Sequence, residues 1–193
     1  MSTNTTSVWR KKLKELEIVV VIPTYNNGKT LAAVIEEVCR YADDIIVVND
    51  GSTDDTANIL EQYPAIRTIT HPVNKGKGTA LKHGLSQAKK EGFRYAITIY
   101  SDGQHFASDI PCFIEAIEKE PDTLLVGARN LASDNMPGKN TFANKFSNFW
   151  FRLETGLKLE DTQSGYRLYP LRKLNVQSCW YTAKYEFELE AIV

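Results

Sequence analysis

Three short polar clusters each follow an apolar run of the kind that forms a buried strand, and their side chains could bind a charged ligand. The clusters are residues 23–26 (Pro-Thr-Tyr-Asn), 49–54 (Asn-Asp-Gly-Ser-Thr-Asp) and 101–105 (Ser-Asp-Gly-Gln-His). Any one of them could be ordinary turn chemistry, since turns favour Asn, Asp, Gly and Ser. The carboxyl ends of parallel strands meet at one rim of a sheet, so the three clusters together indicate a single site.

The elements that must position these clusters alternate along the first 126 residues. Strands are predicted at residues 17–22, 45–48, 67–70 and 96–99, and helices at residues 30–41, 53–63, 79–91 and 110–119. Continuous apolar runs with short connections are typical of a parallel sheet covered by helices on both faces. Asp54 and Asp55 are expected in the first turn of the second helix, where the helix dipole favours them. The sheet is expected to be largely complete after residues 124–126, with the later third added on the substrate side.

The length of 193 residues favours a single domain, and with the alternating elements this is expected to be one α/β domain at residues 1–193 with residues 1–16 as an N-terminal extension. The 23 Lys and Arg balance 24 Asp and Glu for a net charge of -1, so nucleic-acid binding is not expected. Three scattered cysteines, and no apolar run of the length that spans a bilayer, favour a cytoplasmic protein. The last residues have a helical pattern without a stop signal, so the native chain is expected to continue beyond Val193.

Six motifs in register carry a resemblance that covers nearly the whole chain. They are residues 21–26 (Val-Ile-Pro-Thr-Tyr-Asn), 47–54 (Val-Val-Asn-Asp-Gly-Ser-Thr-Asp), 74–81 (Asn-Lys-Gly-Lys-Gly-Thr-Ala-Leu), 101–105, 127–129 (Gly-Ala-Arg) and 161–167 (Asp-Thr-Gln-Ser-Gly-Tyr-Arg). This set resembles the family 2 glycosyltransferases, and among them the polyprenyl-phosphate sugar transferases typified by dolichyl-phosphate mannose synthase. The resemblance implies a GT-A fold, which is a Rossmann-like, mostly parallel sheet that binds a nucleotide sugar at its strand ends.

The resemblance assigns a nucleotide pocket to the first three motifs. Asp50 would accept a hydrogen bond from the base, and Pro23, Thr24 and Tyr25 would form the walls of the base pocket. A carboxylate suits a ring N–H, although Asp50 could instead serve only to cap the helix that follows it. Lys75 could contact a phosphate, or the glycines of its loop could simply permit close approach to the nucleotide.

The cluster at residues 101–105 is where the resembling family holds Mg²⁺ or Mn²⁺ against the donor diphosphate. Asp102 and Gln104 match the metal positions, and Asp102 is also the leading catalytic candidate. The family's usual pattern is Asp-x-Asp, but this chain has Tyr100 in the first place, and a neutral phenol is a poor ligand for a hard cation. Three interpretations remain open: reduced metal affinity, impaired catalysis, or a tyrosine that is merely well packed.

Acceptor residues are expected in the later third. Arg129 matches a family arginine near the acceptor phosphate, and Lys139 is a second basic candidate. A saccharide hydroxyl acceptor would need a general base, for which Asp161 is the candidate and Glu188 the alternative, whereas a lipid phosphate is already an anion and needs none. The aromatic stripe at residues 142–153 is either core or a contact with a membrane surface.

Taken with the resemblance, these residues predict an inverting, metal-dependent transfer of a hexose from a UDP- or GDP-sugar to a polyprenyl phosphate. The protein would act in cell-envelope synthesis, in the cytoplasm or at the inner face of the membrane with peripheral attachment. Two alternatives remain. One is transfer to a glycan hydroxyl in polysaccharide synthesis, and the other is a nucleotide-sugar-binding protein with impaired catalysis because of Tyr100.

Overall fold

The computed structural model describes residues 3–127 and 164–174, which form one sheet with helices packed against it. The helices are α1 (Thr3–Glu15), α2 (Gly28–Cys39), α3 (Thr56–Glu61), α4 (Lys77–Lys90) and α5 (Ile110–Lys119). The strands are β1 (Ile18–Thr24), β2 (Ile45–Asn49), β3 (Arg67–Thr70), β4 (Tyr95–Thr98), β5 (Leu125–Val126) and β6 (Arg167–Pro170). The predicted strands and helices of the first 126 residues are confirmed, with shifts at their ends.

The strand order is β3-β2-β1-β4-β6-β5. The first four strands in this order are parallel, whereas β6 runs antiparallel to both of its neighbours, β4 and β5. Five of the six strands of the described residues end by Val126, but the prediction that the later third is added only on the substrate side is wrong. Because β6 is buried along its whole length and joins β4 to β5, the late segment is an integral part of the sheet.

The core lies on both faces of the sheet, as the continuous apolar strands predict. In β1, Val20 and Ile22 face the layer built from α1, α2, α3 and α5, while Val19 and Val21 face α4. Both layers bury their contacts fully, since these four residues are 0% exposed. Helix α1 forms part of the first layer through Leu13, so the segment expected as an extension packs on the core.

Helix α4 approaches the sheet closely at Gly84. A Cβ atom at that position would lie 2.5 Å from Cγ1 of Val21 and 3.1 Å from Cγ2 of Val48, both in buried strands. A larger residue here would push the helix away from β1 and β2. The glycine therefore fixes the distance between α4 and the sheet, and with it the place of the helix's first residues.

The start of α3 differs from the prediction. The helix begins at Thr56, so Asp55 is its N-cap residue and Asp54 lies outside the helix. The carboxylate of Asp54 accepts hydrogen bonds from the backbone N–H of Thr56, at 3.1 Å, and of Gly28, at 2.8 Å. The hydrogen bonds with Thr56 and then Gly28 lower the pKa of the Asp54 carboxyl. Asp54 therefore ties the first turns of α2 and α3 together.

Candidate functional site

A cavity of about 550 Å³ opens at the carboxyl ends of β1, β2 and β4. Its wall includes seven residues that the sequence assigned to a site, namely Pro23, Thr24, Tyr25, Asp50, Tyr100, Asp102 and Gln104. The wall also contains Asn27 and Lys77, to which the sequence assigned no role, and Ser164 and Gly165, which belong to the motif at residues 161–167. The three polar clusters therefore converge in space, as parallel strands require.

Side-chain hydrogen bonds hold the rim loops against one another. Asn27 Nδ2 donates to Ser101 Oγ at 2.8 Å, and that hydroxyl donates to the carbonyl of Pro23 at 3.2 Å. On the other side, the backbone N–H of Asn26 donates to Ser52 Oγ at 3.0 Å. These bonds connect the loop after β1 to the loops after β4 and β2. The small polar residues of the motifs thus build the rim as well as line it.

Asp50 is 2% exposed and holds the start of α4. Its Oδ1 accepts a hydrogen bond from the backbone N–H of Lys75 at 2.9 Å, and its Oδ2 accepts one from Gly76 at 2.8 Å. Gly76 is the N-cap residue of α4 and has φ +91°, a conformation that favours glycine. The alternative that Asp50 caps the helix that follows it in sequence, α3, is wrong, because its backbone contacts are with Lys75 and Gly76, which directly precede α4.

Two histidines extend from Asp50 to the surface. The ring atom Nδ1 of buried His71 lies 2.6 Å from Asp50 Oδ1, and its Nε2 lies 2.7 Å from Nδ1 of exposed His83. The Asp50 carboxylate requires a donor, so His71 carries its proton on Nδ1 and, when neutral, accepts from His83 through Nε2. Burial, followed by the proximity of His71 and Lys75, lowers the pKa of His83. The chain of bonds Asp50–His71–His83 is called the histidine relay below.

Sequence reasoning missed this relay. The one available signal was position, because His71 directly follows the short strand β3 and so lies at the same rim as the other clusters. Nothing in the spacing of 21 residues between Asp50 and His71 indicated a contact.

Tyr100 packs as a flat wall inside the cavity. A Cβ atom on Gly165 would lie 1.9 Å from Cε2 of Tyr100, so the ring lies directly against this glycine. The ammonium of Lys77 lies 4.2 Å from the centre of the ring, in cation–π geometry. The Tyr100 hydroxyl oxygen is buried and has no hydrogen-bond partner within residues 3–127 and 164–174. Tyr100 is therefore well packed, and its ring contacts a cation of the cavity wall.

An aromatic stack continues from Tyr100 into the core. The ring of His105 lies 5.0 Å from that of Tyr100 and is stacked at 4.9 Å on that of Tyr166, which in turn contacts Phe113 at 4.7 Å. Burial raises the pKa of the Tyr166 hydroxyl, which donates to the carbonyl of Phe106 at 2.9 Å. The loop after β4 is thereby fixed to the segment that precedes β6.

Asp102 and Gln104 form the exposed edge of the cavity. The backbone N–H of Gln104 donates to Asp102 Oδ1 at 3.0 Å, across a turn in which Gly103 has φ +79°. Among the described residues there is no group of three His, Cys, Asp or Glu side chains that could hold a metal ion. One carboxylate and one amide oxygen suit Mg²⁺ or Mn²⁺ if a bound diphosphate supplies further oxygens, because Mg²⁺ commonly uses one or two carboxylates plus phosphates and water.

The two lysines at the entrance of α4 differ in position. Lys77 is half-buried and lines the cavity, whereas Lys75 is exposed and is absent from its wall. Lys75 contributes its backbone N–H to Asp50.

Several predicted residues lie outside the described part of the chain. They are the acceptor candidates Arg129 and Lys139, the base candidates Asp161 and Glu188, and the aromatic stripe at residues 142–153. Within the described residues, no helix combines the length and the apolar character needed to cross a membrane.

Comparison with known proteins identifies the family of the chain. The model of the family "Glycosyl transferase family 2" matches residues 19–175. The chain belongs to this family. As a family 2 glycosyltransferase it is an enzyme of the sugar-transferring class, and the resemblance carried by the six motifs is confirmed.

The curated relatives include transferases that act on lipid phosphates. A UDP-N-acetylglucosamine–dolichyl-phosphate N-acetylglucosaminyltransferase of Methanococcus voltae is 32% identical, over 91% of this chain and 78% of its own length. A dolichyl-phosphate beta-glucosyltransferase of Trichomonas vaginalis is 28% identical over 77% of this chain, and an undecaprenyl-phosphate mannosyltransferase of Micrococcus luteus is 24% identical over 80%. The chain spans 52% of the length of the Trichomonas relative and 66% of the Micrococcus one.

A solved structure confirms the fold of this family 2 glycosyltransferase. Glucosyl-3-phosphoglycerate synthase from Mycobacterium tuberculosis, in complex with Mn²⁺, UDP-glucose and phosphoglyceric acid, matches with a TM-score of 0.73. The two chains are 21% identical, and the match covers all of this chain and 68% of the synthase. The GT-A architecture expected from the sequence is therefore confirmed.

Proposed function

We propose that this family 2 glycosyltransferase moves a hexose from a UDP- or GDP-sugar to a polyprenyl phosphate with inversion at the anomeric carbon. The observation that carries the proposal is a single cavity at the strand ends that combines a buried carboxylate, Asp50, with the exposed pair Asp102 and Gln104. The relatives from Methanococcus, Trichomonas and Micrococcus, which are named for dolichyl- or undecaprenyl-phosphate, support the acceptor class.

The base of the nucleotide would bind at Asp50. Three donors already hold the carboxylate, and a carboxylate offers about four lone-pair sites, so a fourth donor such as the ring N–H of uracil or guanine fits. Tyr25 is 43% exposed at the same wall and offers an aromatic surface beside the base. Pro23 and Thr24 would complete this side of the pocket.

The diphosphate would lie toward Asp102 and Gln104. These two residues would hold Mg²⁺ or Mn²⁺, as the donor set allows when the diphosphate is present. A bound cation would supply neutralisation of the charge that develops on the departing nucleoside diphosphate. The exposed position of both side chains on the rim suits a contact that forms only when the donor arrives.

The acceptor needs no catalytic base in this proposal. An oxygen of the polyprenyl phosphate is already anionic near neutral pH, so it can attack the anomeric carbon directly as the bond to the donor phosphate breaks. The nucleoside diphosphate leaves with that bonding electron pair. Arg129 and Lys139 would bind the acceptor phosphate, for which an arginine is suited by its two parallel N–H groups. Because the acceptor is a lipid, peripheral attachment at the inner face of the membrane is part of the proposal.

A panel of donors and acceptors tests the proposal. Radiolabelled UDP- and GDP-hexoses are incubated with the protein and with a polyprenyl phosphate, the matching polyprenol, or an oligosaccharide. We expect label in the lipid fraction only with the phosphate, and the Asp161→Asn variant should retain this transfer. Transfer to the oligosaccharide that is lost in Asp161→Asn would contradict the proposed acceptor and favour polysaccharide synthesis. Binding of a nucleotide sugar without any transfer would favour a non-catalytic protein.

A further inference from the structure

Tyr100, the residue that departs from the family's acidic pattern, lies against a lysine. We propose that the Tyr100 ring holds Lys77 as a fixed cation for the donor diphosphate, so that donor binding depends less on a metal ion. The inference rests on the proposed function, because it assumes that a nucleoside diphosphate enters the cavity.

The first observation is the geometry of the pair. Lys77 Nζ lies 4.2 Å from the centre of the Tyr100 ring, and both residues line the same cavity as Asp102. A cation over an aromatic face is attracted by the ring and keeps its full charge. The ring thus orients the ammonium and leaves its charge in place. A carboxylate at position 100 would instead neutralise that charge.

The second observation is how firmly the ring is placed. Gly165 leaves no room for a side chain between itself and the Tyr100 ring, and His105 packs beside the ring at 5.0 Å. The backbone N–H of Tyr100 also donates to His105 Nδ1 at 3.1 Å. Because the ring packs against Gly165 and against the imidazole of His105, its position is restricted, and so is that of the ammonium 4.2 Å from its centre.

The third observation is that the ring of Tyr100 contacts Lys77, while its hydroxyl makes no hydrogen bond to it. The Tyr100 oxygen is buried without a hydrogen-bond partner in the described parts of the chain, so the hydroxyl contributes no bond there that holds Lys77. If the ring is the functional part, Phe should replace Tyr100 without loss, whereas an aliphatic residue of similar size should not.

Calorimetric titration with UDP and GDP tests the inference in the whole protein, and the nucleotide that binds is then used with every variant. Each titration is repeated with Mn²⁺ and with EDTA, and the monophosphate with the same base, UMP or GMP, serves as a ligand that lacks the second phosphate. We expect wild-type affinity to fall less than about 10-fold in EDTA. Lys77→Met should weaken diphosphate binding by about 10- to 100-fold, the scale of a hydrogen bond to a charged group, and should change monophosphate binding much less.

Matched variants distinguish the effect of the Lys77 charge, the effect of the Tyr100 ring and the effect of removing any lysine from α4. Lys90→Gln removes an exposed lysine at the other end of α4 and should leave affinity unchanged. Tyr100→Phe should bind as wild type does, and Tyr100→Leu should weaken binding by about 3- to 10-fold, as expected for loss of one cation–π contact. Tyr100→Asp should pair with Lys77 and make binding strongly dependent on Mn²⁺. Thermal unfolding of each variant shows that it is folded.

Three results would overturn the inference while leaving the proposed function intact. The first is a Lys77→Met protein that binds the diphosphate as tightly as wild type, and the second is wild-type binding that disappears in EDTA. The third is equal affinity of Tyr100→Phe and Tyr100→Leu, because these two variants differ in the ring. Failure of UDP, GDP and the monophosphates to bind at all would instead overturn the proposed function, and the inference with it.

Discussion

Among single residues, Asp50 combines a structural role with a proposed role in nucleotide binding. It is buried, it holds the two residues before α4 through their backbone N–H groups, and it accepts a third bond from His71. The same carboxylate is the proposed partner of the base. A change at this residue should therefore alter both stability and nucleotide binding.

Replacement of Asp50 by Asn tests this double role. An amide has one acceptor oxygen in place of two, so one of the N–H groups now bound to the carboxylate would lose its partner. We expect the free energy of unfolding to fall by about 1–3 kcal/mol, and nucleotide affinity to fall by about 10-fold or more. Urea unfolding and calorimetry measure the two effects. An unchanged affinity would show that the base does not bind at Asp50.

The histidine relay predicts a pH dependence of stability. The pKa of His83 is lowered in the folded protein, so below its ordinary value of about 6.5 the unfolded chain binds the proton more readily. Stability from this group is therefore complete above pH 6.5 and is lost as the pH falls through the lower folded value. We expect His83→Asn, which keeps a donor, to lose less stability than wild type between pH 7 and pH 5. If urea unfolding showed the same pH dependence of stability for wild type and His83→Asn, this role of His83 would be contradicted.

At the scale of elements, α4 links the sheet to the cavity. Its packing against β1 and β2 is fixed at Gly84, and its N-cap Gly76 and first residue Lys77 line the site. The sequence predicted the helix but not which lysine of its entrance faces the cavity. That choice depends on the positive φ of Gly76 and on the bonds to Asp50, which a single-sequence pattern does not contain.

Gly84→Ala tests the close approach of α4. Alanine favours a helix over glycine by about 1 kcal/mol, but its Cβ would lie 2.5 Å from Cγ1 of buried Val21. We expect the steric term to win, with a net loss of about 1–3 kcal/mol of unfolding free energy. Urea unfolding measures it, with Ser86→Ala in the same helix as the control. A Gly84→Ala protein more stable than wild type would show that the helix can move away from the sheet without loss.

At the scale of the whole molecule, β6 joins the late segment to the early sheet. The parallel order of β3, β2, β1 and β4 could be predicted, because each apolar run and each helix between them is local in sequence. The place of β6 could not be predicted, because it pairs with β4 across about 70 residues and with β5 across about 40, and its own pattern does not specify either partner. The histidine relay and the Tyr100–Lys77 contact were missed for the same reason.

Thr98→Val tests this long-range connection. The buried hydroxyl of Thr98, in β4, donates to the carbonyl of Gly165 at 2.7 Å. Its loss leaves a buried acceptor without that donor, and we expect about 1–3 kcal/mol of destabilisation. Thr70→Val, an exposed change in β3, should alter stability by less than about 0.5 kcal/mol. Equal urea midpoints for the two variants would mean that the Gly165 contact does not stabilise the fold.

The proposed function requires that a nucleotide sugar binds in the cavity at the ends of β1, β2 and β4. A crystal structure of the protein with bound UDP or GDP would test this requirement. We expect a ring N–H of the base to lie within about 3 Å of a carboxylate oxygen of Asp50, and the diphosphate to lie between Lys77 and Asp102. A nucleotide bound with its base away from Asp50, or bound outside this cavity, would contradict it.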